Sequence, residues 1–359
     1  MKILITVGRL DIGGVELRTL ETIRELKARH PCLKFYIYIV SGRRGALDEA
    51  YRDEGAELIY GKGSFNSLIN LYRVIKGIKP HVLHVNASYA GGLFTCIGWL
   101  AGCQKRIAHI RSVYLPEMHW FFKGKYLLYL PMLNIFSTKV IGVAKYAKHT
   151  ARTSDEKWTT LYDGIEPSRV PRALGKREGE LRLIVVGRQH VCKNLQFALE
   201  ILEALLSKQV RVYLTFVGDE DKEIGGELRA IAHEKGLTGY INFVGGVPRE
   251  EALQYMASSD VLLVTSTREG LPGTILEASS VGLPVISSDL PGVIEISNYI
   301  DSVWTKSLND AASCWADSAL AIREAWSHKS SDIVDKFNSS PFTLTKHTIG
   351  IEKVWGLDE

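Results

Sequence analysis

Cysteine is scarce in this chain, and the few that occur are scattered. Cys32, Cys96, Cys103, Cys192 and Cys314 are the only five in 359 residues, and no two form a C-x-x-C pair. An odd, unclustered set argues against both a disulfide framework and a zinc site, and it points to a reducing compartment. Long hydrophobic runs are also missing. The longest, around 90–101 and 126–136, contain Gly, Pro or Asn and fall short of the roughly 18 residues expected of a membrane span. The first residues, MKILITVG, begin a strand at once and lack the layout of a secretory leader, so a cytoplasmic location is expected. There is no low-complexity tract and no short repeat. The basic residues form no long run and no nucleic-acid module is spelled out, so nucleic acid is not an expected partner. The dinucleotide fingerprint G-x-G-x-x-G is absent, because Gly8 is followed by Arg-Leu-Asp-Ile; this disfavours a nicotinamide dehydrogenase. No His/Asp cluster has metal-ligand spacing, and no metal is expected.

The composition that remains, 46% apolar and 23% charged, is ordinary for a globular enzyme. The length suits about two domains, each with its own core. A net charge of +4 hides an asymmetry: residues 1–170 hold 25 Lys+Arg and 14 Asp+Glu, whereas residues 171–359 hold 19 and 26. A basic first half implies that this half faces something anionic, and an anionic membrane surface fits better than nucleic acid. Short apolar runs (KILITV, FYIYIV, AELIY, HVLHV, RIAHI, KVIGV) alternate with helical patterns over 15–29, 46–54, 66–77, 89–102 and 120–136. The second half repeats the scheme with RLIVVG, RVYLTFVGD, INFVG, DVLLVTS and PVISS. Two βαβ series predict an α/β chain of two doubly wound, Rossmann-like domains, with ligand sites at the carboxyl ends of their strands. The expected bounds are a first domain over 1–164, a linker over 165–179, a second domain over 180–340 and a tail over 341–359.

The stretch Arg268 to Ile296 says most. Asp260 to Ser266 reads as a buried parallel strand, Gly270 to Gly273 break it, and a helical spacing runs from Thr274 to about Gly282. A strand, a glycine-rich loop and a helix start present free backbone N–H groups to an anion. Glu269 in the loop and Glu277 in the first turns can both reach one ligand held over it. Carboxylates beside an anion site suit a ligand with hydroxyl groups on both sides of a diphosphate, which describes a nucleotide sugar.

This pattern resembles the E-x7-E signature of retaining glycosyltransferases of the GT-B fold, specifically glycosyltransferase family 4. Four further stretches match that family in order: Val7 to Glu16, a first glycine-rich loop; Lys105 to Ser112, a histidine-bearing strand end; Leu161 to Arg169, before the linker; and Val185 to Asn194, a Gly-Arg…Lys-Asn loop. The resemblance covers residues 2 to about 300. It implies two Rossmann-like domains facing each other across a cleft, the first for the acceptor and the second for the donor, with the tail packing back on the first. Arg188 and Lys193 would hold the leaving diphosphate and stabilise charge as the glycosidic bond breaks. Glu277 would accept from the ribose hydroxyls and Glu269 from those of the donor sugar. Backbone at Gly273 and Thr274 would add donor contacts, and backbone near Gly245 and Val247 would recognise the base. Gly13 and Gly14 would let the backbone approach a ligand, Gly14 toward the donor and both toward the acceptor. His109 would contact the donor sugar. Some relatives read His-Ser-His where this chain has His109-Ile110-Arg111, so Arg111 or His84 is the alternative, with Arg111 also a candidate for the acceptor. Many relatives carry Asn-Gly where this chain has Asp163-Gly164.

The expected activity is transfer of a hexose or aminosugar to a glycan or lipid-linked acceptor, in cell-surface polysaccharide or lipopolysaccharide synthesis. A UDP-sugar is the favoured donor and a GDP-sugar the alternative, with no cofactor and no metal. Aromatic and basic residues interleave from Tyr114 to Tyr146, which suits a peripheral membrane contact on the cytoplasmic side as well as plain core packing. Two other activities share the layout: a nucleotide-sugar epimerase and a non-catalytic sugar-nucleotide-binding module.

Overall fold

The structure, a computed structural model, describes residues 1–111, 120–168, 170, 179–326 and 328–357. The chain divides into two compact units: Met1–Glu166 with Leu344–Glu359, and Pro167–Thr343.

The first unit is built on a seven-stranded sheet. Its strands are β1 (Lys2–Val7), β2 (Lys34–Ile39), β3 (Glu57–Tyr60), β4 (Val82–Val85), β5 (Lys105–Ile110), β6 (Lys139–Gly142) and β7 (Trp158–Thr160), in the order β3-β2-β1-β4-β5-β6-β7. All neighbours run parallel. Helices cover both faces, so the central strand β1 reads as a continuous apolar run and Ile3, Leu4, Ile5 and Val7 are all buried. One face packs against Ile23 and Leu26 of the helix Gly14–Arg29 and against Ile351 and Trp355. The other packs against Leu71, Ile75, Phe94 and Ile97. Strand order reverses between β1 and β4, which opens the ligand crevice of such a sheet at the carboxyl ends of those strands.

The second unit repeats the design with β8 (Glu180–Val186), β9 (Arg211–Val217), β10 (Ile241–Gly245), β11 (Val261–Val264), β12 (Val285–Ser288) and β13 (Val303–Lys306), in the order β10-β9-β8-β11-β12-β13. These pairs too are parallel. Leu199, Leu202, Leu214, Leu263 and Trp315 centre its core. Here the order reverses between β8 and β11.

Two strands exceed those read from the sequence, β7 and β13. Both are edge strands, of three and four residues, and neither carries an apolar run. The helix expected from Thr274 to about Gly282 spans Gly273–Ser280. The pattern over 89–102 splits into a 3-10 turn, Ser88–Ala90, and a helix, Gly91–Leu100. Most of the expected linker, residues 169 and 171–178, lies outside the described residues. The tail forms the helix Leu344–Trp355, which belongs to the first unit. Leu344 N–H donates to the Ile165 carbonyl at 2.8 Å, and Lys105 Nζ donates to the Trp355 carbonyl at 2.8 Å. The buried Glu352 carboxylate takes Arg29 at 3.1 Å and His30 at 2.8 Å.

Candidate functional site

At the carboxyl edge of the second sheet, three loops are stitched into one surface. The Gly187 N–H donates to the Val217 carbonyl at 2.8 Å, and the Gly218 N–H donates to the Gly245 carbonyl at 2.8 Å. Gly218 has φ 142°, and a Cβ there would lie 2.2 Å from the Gly187 carbonyl oxygen. A side chain would therefore pry apart the ends of β8 and β9. On the other side, Thr267 N–H donates to the Cys192 carbonyl at 2.8 Å, and Thr265 Oγ1 donates to the carbonyls of Lys193 and Asn194 at 2.9 and 3.0 Å. Asn194, left-handed at φ 48°, then turns the chain into the helix Leu195–Ser207.

Those contacts bring Lys193 and Glu269 together. Lys193 Nζ lies 2.5 Å from Glu269 Oε1, and Ser266 Oγ donates to the same oxygen at 3.1 Å. Both side chains are mostly buried, at 22% and 18% exposure, so salt screens this pair less than an exposed one. Arg188, one turn earlier, is exposed. Glu277, inside the helix Gly273–Ser280, accepts from Arg249 Nε at 2.8 Å. Gly273 and Thr274 open that helix, where backbone N–H groups have no acceptor within the helix itself. Gly245 ends β10 at φ 84° beside a register shift, with Val247 two residues on, half-buried. One sheet edge thus combines a cation–carboxylate pair, a helix start and a second such pair.

Arg249 was not among the residues the sequence singled out. Its signal was weak: a basic residue at the start of the helix Arg249–Ala257, which otherwise opens with Glu250 and Glu251. An Asp219-Glu220-Asp221 triplet stands after β9, and two of its carboxylates serve the fold. Asp221 caps the helix Lys222–Glu234 by accepting from the Glu223 and Ile224 N–H groups, and Glu220 holds Arg229 at 2.9 and 3.0 Å. Among the described residues no group of three or more His, Cys, Asp or Glu is placed to hold a metal.

In the first unit, Gly13 sits before the helix and Gly14 begins it. A Cβ on Gly14 would meet nothing within 4 Å, so the surrounding protein does not itself require glycine there. The three candidates His84, His109 and Arg111 converge at the ends of β4 and β5. The two imidazoles are buried and hydrogen-bonded to each other, His84 Nε2 to His109 Nδ1 at 3.1 Å. Burial beside the Arg111 cation disfavours their charged forms. It pushes His84 down to about 3 and His109 well below the ordinary histidine value. Arg111 is fixed at both ends: Nε donates to Asn86 Oδ1 at 2.9 Å, and Nη1 donates to the two Asp163 oxygens at 2.7 and 2.8 Å. The two departures from the family pattern, Arg111 and Asp163, are therefore one ion pair. Asn86 and Trp355, which complete this cluster, were also missed in the sequence, because they come from a strand end and from the last helix.

Residues 180–322 match the family model described as glycosyl transferases group 1. The capsular polysaccharide biosynthesis glycosyltransferase CapH of Staphylococcus aureus is 28% identical over 306 residues, 83% of this chain and 84% of CapH. The lipopolysaccharide glucosyltransferase WaaG of Escherichia coli is 28% identical over 162 residues, 42% of each chain. Among solved structures, HepE of Anabaena in complex with UDP and glucose superposes with a TM-score of 0.82 at 16% identity, covering 99% of both chains. WaaG superposes with a TM-score of 0.74 at 16% identity, over 98% of this chain and 99% of its own. Two parallel doubly wound sheets and these likenesses agree: the chain has the GT-B fold, and its residues 180–322 are similar to the glycosyl transferases of group 1.

Proposed function

We propose that this chain moves a hexose or an aminosugar from a nucleoside diphosphate sugar to a glycan or lipid-linked acceptor, with retention at the anomeric carbon. In this reading the bond from the anomeric carbon to the diphosphate oxygen breaks, and the bond to the acceptor oxygen forms on the same face. The leaving diphosphate takes the acceptor proton, so no protein nucleophile is needed. The observation that carries the reading is the pair Lys193–Glu269 at 2.5 Å beside the helix start at Gly273. A cation held by a carboxylate meets the diphosphate while the carboxylate still offers oxygen to a sugar hydroxyl. Arg188 and Lys193 supply the positive charge that a metal supplies elsewhere, and no metal is part of the proposal. Glu277, oriented by Arg249, takes the ribose hydroxyls. UDP is the favoured nucleotide, in keeping with the UDP bound by HepE. Synthesis of a cell-surface polysaccharide or lipopolysaccharide is the proposed setting, in keeping with the names of CapH and WaaG.

The first unit would meet its acceptor at the cytoplasmic face of a membrane. The support is the helix Trp120–Phe136, which leaves Leu127, Leu128 and Ile135 exposed. Among the described residues no helix is long and apolar enough to cross a membrane.

Thermal unfolding against UDP-, GDP-, ADP- and dTDP-sugars, with NAD as control, tests the reading. A ligand at about 100 times its Kd adds roughly 2.7 kcal/mol. One nucleotide series is expected to raise the Tm, and Arg188→Ala and Glu277→Ala are expected to abolish the rise. Silence from every sugar nucleotide would overturn the reading. A product formed without acceptor would indicate the epimerase.

A further inference from the structure

The buried histidine pair of the first unit ends in a proton whose position is dictated from the far end of the chain. Trp355 Nε1 lies 3.1 Å from His84 Nδ1. An indole N–H only donates, so His84 Nδ1 is a bare acceptor and the His84 proton sits on Nε2. That Nε2–H points at His109 Nδ1, 3.1 Å away, which must therefore be bare as well. The remaining His109 proton is on Nε2. There the relay stops: His109 Nε2 is buried and has no hydrogen-bond partner among the described residues. Leaving a buried N–H unmade is costly and uncommon in native proteins. A cavity of about 20 Å³ beside the cluster is lined by His84, Asn86, Arg111, His347 and Trp355 but not by His109, so a water held there does not meet this N–H.

Among the described residues no carboxylate acts on the pair. The charged or titratable groups acting on it are Arg111 and His347, with Asp163 committed to Arg111. His347 donates through Nδ1 to the Tyr162 carbonyl at 2.7 Å. The helix carrying Trp355 is itself pinned, by Lys105 at its last carbonyl and by the T-shaped contact of the indole with His84 at 5.7 Å.

We propose that Trp355 and His84 are positioning residues: they lock His109 in the Nε2–H form, so that at the end of β5 it presents a hydrogen-bond donor, never an acceptor, to an oxygen of the bound substrate. The lock is a property of the geometry alone. Only its use toward a substrate rests on the sugar-transfer reading above.

The full chain labelled with 15N-histidine tests the lock through long-range proton–nitrogen correlations at pH 7. His84 and His109 are expected as neutral rings protonated on Nε2, assigned with His84→Gln and His109→Gln. A proton on Nδ1 of either ring, or a charged ring, overturns the proposal. Trp355→Phe and His84→Leu remove the relay and should give His109 a mixture of the two neutral forms. The affinity for whichever nucleotide sugar binds should fall about tenfold, the scale of one hydrogen bond. In His84→Gln the amide has one acceptor for Trp355 and one donor for His109, so the single His109 form and the affinity should both return. An unchanged His109 spectrum in both relay-breaking variants overturns the proposal. Should Trp355→Phe fail to fold, the wild-type and His84→Gln spectra still decide. Expected spectra with no sugar nucleotide bound would sink the transfer reading and leave the lock standing. Normal sugar-nucleotide binding with the wrong ring form would sink the lock alone.

Discussion

His84, His109 and His347 lie buried in the first unit near the Arg111 cation, which already has its carboxylate in Asp163. Burial lowers all three imidazoles, and Arg111 adds to the effect in each. The sign of the consequence follows from proton counting. Below about pH 6.5 the unfolded chain protonates these rings, whereas folded His84 stays neutral to about 3. Folding stability is therefore full above about pH 6.5 and is lost as the pH falls, at about 1.4 kcal/mol per pH unit for each ring that stays neutral. Urea unfolding at pH 7.5 and 5 should show the loss, and His84→Gln should make it shallower by roughly one ring's share. An identical slope in His84→Gln would refute the assignment. The sequence had put His84, His109 and Arg111 forward as competitors for one place. It could not show that they touch, because strand alternation tells which face a residue takes but not what comes from other elements to meet it. Glu269 and Lys193 were legible for the opposite reason: each sits in a loop directly after a strong apolar strand, where the fold rule itself places ligands.

At the scale of elements, the helix Trp120–Phe136 does not hide its apolar surface. Tyr126, Leu130 and Leu133 face the core, while Leu127, Leu128 and Ile135 are 63%, 63% and 66% exposed. Those three share a stripe with exposed Gly124 and Pro131, at helical spacing. Trp99 and Leu100, also exposed, end the neighbouring helix Gly91–Leu100, and the Trp99 ring lies 5.2 Å from Phe136. Exposed Lys125 flanks the stripe. An apolar stripe with a basic margin, on the more basic half of the chain, suits an anionic lipid surface. Leu128→Glu is expected to weaken co-sedimentation with anionic phosphatidylglycerol vesicles about tenfold, the equivalent of one lost buried leucine, and to leave the Tm unchanged. Undiminished binding would exclude this face. The interleaving of aromatic and basic residues pointed to the segment, but the sequence left core and membrane readings even. Only the exposure of alternate turns separates the two faces. The edge strands β7 (WTT) and β13 (VWTK) escaped notice because neither carries an apolar run.

For the whole molecule, the two-series pattern of strands and helices was readable because each parallel strand is buried on both faces and so stands out as a run. The membership of the last helix came from the family resemblance alone, since its amphipathic pattern says that it packs and not where. The helix Leu344–Trp355 completes the core of the first unit with Ile351 and Trp355. Removing residues 344–359 should cost the first unit several kcal/mol, because loss of one buried tryptophan alone is worth about 3–5 kcal/mol. Hydrogen exchange should then show the strands β1 to β6 losing protection while β8 to β12 keep theirs. Equal protection in the truncated chain would refute that dependence.

The same attachment sets an order of events on the ribosome. A domain at the start of a chain ordinarily finishes folding while the rest is still being made. Here the 177 residues Pro167–Thr343 are made between the two parts of the first unit. At about 5–20 residues per second, roughly 10 to 35 seconds pass before its last helix emerges. Throughout that interval the groove that will receive Ile351 and Trp355 stands open, and the histidine pair waits for the indole that fixes its protons. Of the two units, the one whose synthesis starts first is thus the last to be finished.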